Sequence, residues 1–265
     1  MGNCVEAAGS KLCNLIFFCK MFTKSIEIIS QINKLGDGSS EKNVADVLSY
    51  AYKVFGAKLV FATSLGAEDQ ALTDMIARYT PQIGVFTLDT GRLPHETYET
   101  IEQTQQRYGL KVEILFPEKA EVEEMVNAHG PNLFYKSVEQ RKLCCTVRKV
   151  NVLRRKLQNF DAWICGLRAE QSVTRSDLKI AERDDANGLI KICPLANWST
   201  EQVWDYIRKN NIPYNKLHDT GYPSIGCEPC TRAIKEGEDL RAGRWWWEQP
   251  EHKECGLHFK EKGKK

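Results

Sequence analysis

The sequence predicts an α/β protein: an open, mostly parallel sheet with helices on both faces, followed by a loop-rich C-terminal tail. Three observations carry this. From Lys58 onward, short apolar runs alternate with amphipathic stretches, as strands do with crossover helices. Small turns containing glycine follow the apolar runs, and acidic or capping residues open the stretches after them. A length of 265 residues is enough for one large α/β domain or for a core with an appendage.

Leu59 to Thr63 reads as the first buried strand. After the turn Ser64-Leu65-Gly66, residues Ala67 to Tyr79 put Leu72, Met75, Ile76 and Tyr79 on one helical face, with Glu68 and Asp69 in the first turn. Ile83 to Leu88 is the second strand, ended by Asp89-Thr90-Gly91, and Glu96 to Tyr108 is a helix stopped by Gly109. Val112 to Phe116 makes a third strand, and Val138 to Leu157 a basic helix carrying Cys144 and Cys145. Ala162 to Cys165 runs as a strand into Gly166, and Leu189 to Cys193 is a further strand ending at Pro194. Ser199, with Gln202 three residues on, forms a capping box for a helix whose Val203, Tyr206 and Ile207 face the core. Beyond Pro213 the periodicity fades, so the expected organisation is a leader over 1–22, an α/β domain over 23–212 and a C-terminal segment over 213–265. In that segment the Trp245-Trp246-Trp247 run is expected to pack in the core.

Composition narrows the function. Hydrophobic residues at 42% and charged residues at 27% argue against a disordered, collagen-like or membrane-embedded chain. Thirty-seven Lys and Arg against 35 Asp and Glu leave a net charge of +2, so no global field attracts nucleic acid and any anion site is local. The apolar stretch Leu12 to Cys19 is too short to span a bilayer, and no small-residue cleavage site follows it. Ten cysteines spread irregularly through a long chain suit reduced thiols, metal ligands or a nucleophile, and hence a cytoplasmic enzyme.

The loop Thr63-Ser64-Leu65-Gly66-Ala67-Glu68-Asp69 joins a strand to a helix, where backbone N–H groups and the helix dipole favour a phosphate. Leu88-Asp89-Thr90-Gly91-Arg92 closes the second strand at the same sheet edge, and Gly166 to Arg175 follows another strand with Arg168 and Arg175. Each loop alone is also what any tight turn or solvated surface would contain. Cys144, Cys145, Cys227 and Cys230 could supply four thiolates to an iron–sulfur cluster or to a structural zinc. The adjacency of Cys144 and Cys145, about 100° apart on a helix, favours the larger cluster. A Cys227-Cys230 redox dithiol and plain core packing are the other readings. Cys255 has Lys253, His252 and His258 near it in sequence as cations for a nucleophilic thiolate.

Taken together, Cys144-Cys145, Cys227-Glu228-Pro229-Cys230 and Lys253-Glu254-Cys255-Gly256-Leu257-His258, with Leu88-Asp89-Thr90-Gly91 and Gly166-Leu167-Arg168 before Gln171-Ser172, closely resemble the assimilatory adenylyl-sulfate (APS) reductases of the PAPS/APS reductase family. The resemblance runs from about Ser64 to His258. It implies an adenine-nucleotide alpha-hydrolase-like fold with a modified PP-loop, and thiol-dependent reduction of APS to sulfite and AMP in sulfate assimilation. It implies one 4Fe-4S cluster on Cys144, Cys145, Cys227 and Cys230, and Cys255 as the nucleophile that becomes S-sulfocysteine. Thioredoxin or a similar dithiol would release the sulfite. Lys149, Arg241, Arg244 and His258 match positions that stabilise the charge of phosphosulfate, a role that chemistry demands. Arg168, Gly166 and the loops Ser64, Gly66, Glu68, Asp69 and Leu88, Asp89, Thr90, Gly91 would hold the adenosine part. Lys149, one turn after Cys145, could link cluster and substrate.

Two departures from the family pattern stand out. The segment to about Lys20 has no counterpart, and Val152 replaces a proline in the run after the tandem cysteines. No thioredoxin-like domain follows His258, so the electron donor is expected to be a separate protein, while nucleic acid and membrane are not expected partners and a homo-oligomer is left open. The competing readings are PAPS reduction, a PP-loop sulfur-transfer enzyme that consumes ATP, and a non-catalytic zinc protein. Gln70, standing where ATP pyrophosphatases carry a second serine, speaks against the ATP reading.

Overall fold

The computed structural model describes residues 23–171 and 177–249. Helix α1 (23–35) is followed by α2 (Glu41–Phe55), which Ser40 caps by accepting the Asn43 N–H. Their buried side chains, Ile32, Val44, Val47, Leu48 and Ala51, belong to the main core. The sheet then begins: β1 (Leu59–Ala62), α3 (Ala67–Tyr79), β2 (Gly84–Leu88), α4 (His95–Tyr108) and β3 (Val112–Leu115) alternate as the apolar periodicity demands. Next come α5 (Lys119–His129), α6 (Val138–Cys145), α7 (Asn151–Leu157), β4 (Ala162–Ile164), β5 (Ala181–Asp184), β6 (Leu189–Ile192) and α8 (Thr200–Lys209).

The six strands lie in the order β3-β2-β1-β4-β6-β5, all parallel except for the β5–β6 pair. Phe61 is the register partner of both Val85 and Ile164. Successive strands therefore run outward from β1 in one direction and from β4 in the other. Right-handed crossovers then place α3 and α4 on one face and the α5–α7 connection on the other. The point where the direction reverses, between β1 and β4, opens a crevice at the carboxyl ends of the strands.

Several details differ from the sequence reading. Tyr79 does not join the buried face of α3: it is 39% exposed, and its hydroxyl donates to Glu41. The expected helix Val138–Leu157 is interrupted by a π turn over Thr146–Val150. β5 was not anticipated, because Ala181-Glu182-Arg183-Asp184 has a single apolar residue; it is held as an edge strand by its ladder with β6 and a turn at Gly188, whose φ is +71°. Of the tryptophan run only Trp245 is fully buried, at 1% exposure, whereas Trp246 is 40% exposed. Trp245 belongs to a second apolar cluster, with Met125, Leu133, Phe134, Val147 and the four cysteines 144, 145, 227 and 230, separate from the sheet's core. The C-terminal segment reaches this cluster through a bridge between Thr231 and Arg244 and through the Trp245 N–H, which donates to the Cys230 carbonyl.

Candidate active site

The crevice at the switch point is a cleft of about 1620 Å³ including its open mouth. Its floor is the first loop. Leu65 takes a left-handed φ of +62°, and the chain turns sharply from β1 into α3. Asp69, in the first turn of α3, accepts from the backbone N–H (2.6 Å) and hydroxyl (2.6 Å) of Ser64 and from the backbone N–H of Gly166 (2.9 Å). One buried carboxylate thus ties the loop after β1 to the loop after β4. Burial raises its pKa to about 6 against the lowering effect of these hydrogen bonds. Gly166 has to be glycine for this joint, since a Cβ there would lie 2.2 Å from Asp69 Oδ1.

Arg168 is only 2% exposed and lines the cleft, but its guanidinium is already occupied. Nε and Nη2 donate to Glu68 Oε1 (3.0 and 2.8 Å), Nη1 to Glu170 (2.9 Å) and the Trp198 carbonyl (3.2 Å), and Nη2 also to the Thr200 hydroxyl (3.0 Å). All five of its N–H donors have protein acceptors. Arg168, expected to hold the adenosine part, is therefore a brace that fixes Glu68 at the cleft wall and holds the start of α8.

Ser64, Gly66, Glu68, Asp69, Leu88, Lys149, Gly166, Arg168, Arg241 and Arg244 all line this cleft. Asp89, Thr90 and Gly91 are not among its lining residues. Asp89 accepts from the Gly91 N–H (2.7 Å) and the Tyr98 hydroxyl (3.0 Å), and Thr90 turns towards the cysteines, its Oγ1 lying 3.2 Å from Cys227 Sγ. Cys255 and His258 lie outside the described residues.

Beside the cleft is a smaller pocket of about 380 Å³ including its open mouth, lined by Cys144, Cys145, Cys227 and Cys230 with Arg92, Arg141, Arg148, Lys149 and Arg244. All four thiols are buried. Burial raises the Cys230 thiol to about 12, helped by neighbouring Cys227, and also pushes Cys144 up. At Cys227 burial acts the same way, but the Lys149 ammonium, the Thr90 hydroxyl and Arg244 outweigh it and hold the thiol below its ordinary value. Arg148 donates to the Thr90 carbonyl (2.6 Å), so the Thr90 loop, the π turn and Cys227 form one unit. Arg141, fully buried, pairs with Glu248 at 2.7 Å and stacks 4.6 Å from the Trp245 ring, whose centroid also lies 4.8 Å from Arg244. Lys149, Arg244 and Trp245 line both cavities. Among the described residues, no three His, Cys, Asp or Glu side chains converge closely enough to hold a single metal ion.

The sequence reading missed Arg148, Arg141 and Glu248, and on the cleft wall Trp204 and His218. Arg148 had a visible signal in its neighbour Lys149. The Arg141–Glu248 pair spans 107 positions and had none.

The phosphoadenosine phosphosulfate reductase domain matches residues 58–233. An adenosine 5'-phosphosulfate reductase of Allochromatium vinosum is 57% identical over 203 residues, covering 77% of this chain and 79% of that protein. One from Sinorhizobium fredii (strain USDA 257) is 47% identical over 241 residues, covering 91% and 95%. Among solved structures, the phosphoadenylyl-sulfate reductase of Candida auris, in its phosphate complex, superposes with a TM-score of 0.65 at 29% identity, covering 78% of this chain and 96% of that one. The FMN adenylyltransferase of Candida glabrata (TM-score 0.52, 17% identity, 83% and 73% covered) shares the fold alone, of the adenine-nucleotide alpha-hydrolase type. A domain match across the whole sheet, joined to relatives 57% and 47% identical over most of this chain, places the chain in the phosphoadenosine phosphosulfate reductase family.

Proposed function

We propose that the chain reduces adenylyl sulfate to sulfite and AMP in sulfate assimilation, the substrate being the one named for its relatives at 47% and 57% identity. The observation that carries this is the shared wall: a nucleotide-sized cleft meets a thiol-lined cavity at Lys149, Arg244 and Trp245. Cations at that wall suit the phosphosulfate end of the ligand, and a cleft at the switch point suits its nucleoside.

In the proposed reaction the Cys255 thiolate attacks the sulfo group's sulfur. An S–S bond forms, the bond from sulfur to the phosphate oxygen breaks, and AMP leaves with the electron pair. Lys149, Arg241, Arg244 and His258 would stabilise the charge gathering on that phosphate. A thiolate of a separate thioredoxin-like dithiol then attacks Cys255 Sγ and expels sulfite, and its second thiol closes a disulfide that frees Cys255. The thiols this requires suit a reducing cytoplasm. Among the described residues no helix is long and apolar enough to cross a membrane.

Cys144, Cys145, Cys227 and Cys230 would hold a 4Fe-4S cluster. The donor set fits: four buried thiols share one cavity with five cationic side chains. A tetrahedral zinc would instead need the four sulfurs about 3.8 Å apart, given its ~2.3 Å bonds, so the metal analysis below decides between the two. Bound there, the cluster would supply an anionic body against which Lys149 is oriented.

Mass spectrometry after incubation with adenylyl sulfate alone tests the reading: the expected result is one added sulfo group on Cys255. Cys255→Ser is expected to abolish sulfite formation, by more than about 10³-fold, while AMP affinity stays within about two-fold. Retained turnover overturns the nucleophile. Iron and sulfide analysis of anaerobically purified protein tests the cluster, and zinc without sulfide overturns it.

A further inference from the structure

His218 sits in the 3₁₀ turn Lys216–Thr220 and lines the nucleotide cleft. Its Nδ1 is 2.8 Å from the Tyr222 carbonyl oxygen, which can only accept, so Nδ1 carries the proton and Nε2 is a bare acceptor. Nε2 is buried and has no hydrogen-bond partner among the described residues. Trp204 meets the imidazole edge-on, with centroids 5.2 Å apart at 83°, which fixes the ring plane. Burial lowers the imidazole's pKa against the opposing charge of Glu68, so the ring stays neutral at physiological pH. A buried acceptor without a donor is costly unless a ligand supplies one.

We propose that His218 Nε2 is a specificity-determining acceptor for the ribose hydroxyl edge of the bound nucleotide, an inference that rests on the cleft's being an adenosine-nucleotide site. The ligand's phosphate and sulfate oxygens cannot donate to it, and the cations Lys149 and Arg244 line the part of the cleft shared with the thiol-lined cavity, which His218 does not line. Phe86, Leu88 and Leu153 offer an apolar face for a planar base, on β2 and α7. His218 belongs instead to the α8 side, with Trp204 and with Glu68, the carboxylate that Arg168 braces against Thr200. Glu68 lines the same cleft and its charge acts on the imidazole, so a second acceptor accompanies Nε2, as a sugar's adjacent hydroxyls would require.

Two variants separate binding from scaffolding. In His218→Asn the amide nitrogen falls near Nδ1, so the tie to Tyr222 can persist while the acceptor at Nε2 is lost. In His218→Gln the amide reaches the Nε2 position and can restore it. Calorimetric titration of the full-length chain with AMP, 2'-deoxy-AMP, 3'-deoxy-AMP and purine riboside 5'-monophosphate reads the effect. The expected result is an AMP affinity about ten-fold weaker in His218→Asn and largely recovered in His218→Gln. That penalty should fall below about two-fold for the deoxy analogue lacking the contacted hydroxyl, yet persist in full for the purine riboside, which lacks only the amino group. A penalty equal on all four ligands, or one that vanishes only with the purine riboside, overturns the proposal. In the unsubstituted chain, nitrogen-labelled histidine NMR should show the Nε2 resonance of His218 moving with AMP and not with that deoxy analogue; an unmoved resonance also overturns it. Failure of the unsubstituted chain to bind AMP at all would instead remove the nucleotide reading beneath it.

Discussion

At Gly166 the space for a side chain is already taken by Asp69, and the neighbouring Glu68 Cβ would be 3.1 Å from any added methyl. Because the obstacle is a buried carboxylate holding three donors, it cannot swing aside cheaply. Gly166→Ala is expected to cost about 1–3 kcal/mol, and a thermal melt should show the drop alongside weaker AMP binding. Asp69 itself makes a pH prediction. Its folded pKa of about 6 exceeds the ordinary 3.8, so the folded state holds the proton more tightly than the unfolded one. Stability from this group is complete below about pH 4 and is lost as pH rises through about 6. Asp69→Asn should therefore flatten the fall in urea midpoint across that window. It should also cost stability throughout, about 1–3 kcal/mol, because an amide cannot accept from all three donors. An unchanged slope would mean that another group sets the pH dependence.

Among the elements, α8 was the easiest to read and β5 the hardest. Ser199 and Gln202 spell the α8 start in the sequence, and both capping-box bonds are present, at 3.1 Å and 2.8 Å. Ser199→Ala is expected to lower stability by about 1 kcal/mol, measurable as a shift in the denaturation midpoint, and to loosen the hydrogen bond that the Thr200 N–H donates to Glu170. The first two strands were legible to within one residue, since Leu59–Ala62 and Gly84–Leu88 are nearly continuous apolar runs in a parallel sheet. β5 carried no such pattern because its ladder with β6, not its own side chains, makes it a strand. The π turn at Thr146–Val150 was equally hidden. It follows directly on Cys145 and carries Arg148 and Lys149, the first bonded to Thr90 and the second on the wall between the cavities.

For the whole molecule, an open, mostly parallel sheet was legible from strand–helix alternation, and with it the loops after β1 and β4 that line the cleft, whereas the strand order was not read. The meeting of two cavities was not legible either. It depends on side chains far apart in sequence, Arg141 with Glu248 and Trp245 between two arginines, whose pairing leaves no periodic trace. Lys149 is the residue on which this joint organisation bears most directly. Lys149→Met is expected to lower turnover of adenylyl sulfate by about 10²-fold, as loss of one placed donor to a developing anion does, with a smaller effect on AMP affinity. Steady-state sulfite release and AMP titration check the two halves separately, and equal losses in both would mark Lys149 as a ground-state binder only.

The ion pair of Arg141 with Glu248 sets a pivot, because it clamps the chain against the helix that bears Cys144 and Cys145. Cys255 lies seven residues further on. A fully stretched backbone advances at most about 3.6 Å per residue, which confines that sulfur to a sphere of roughly 25 Å radius around the clamp. One thiol in such a volume corresponds to a local concentration on the order of 25 mM. The tether alone therefore keeps the Cys255 sulfur, the proposed nucleophile, at a density that a freely diffusing thiol would match only in the tens of millimolar.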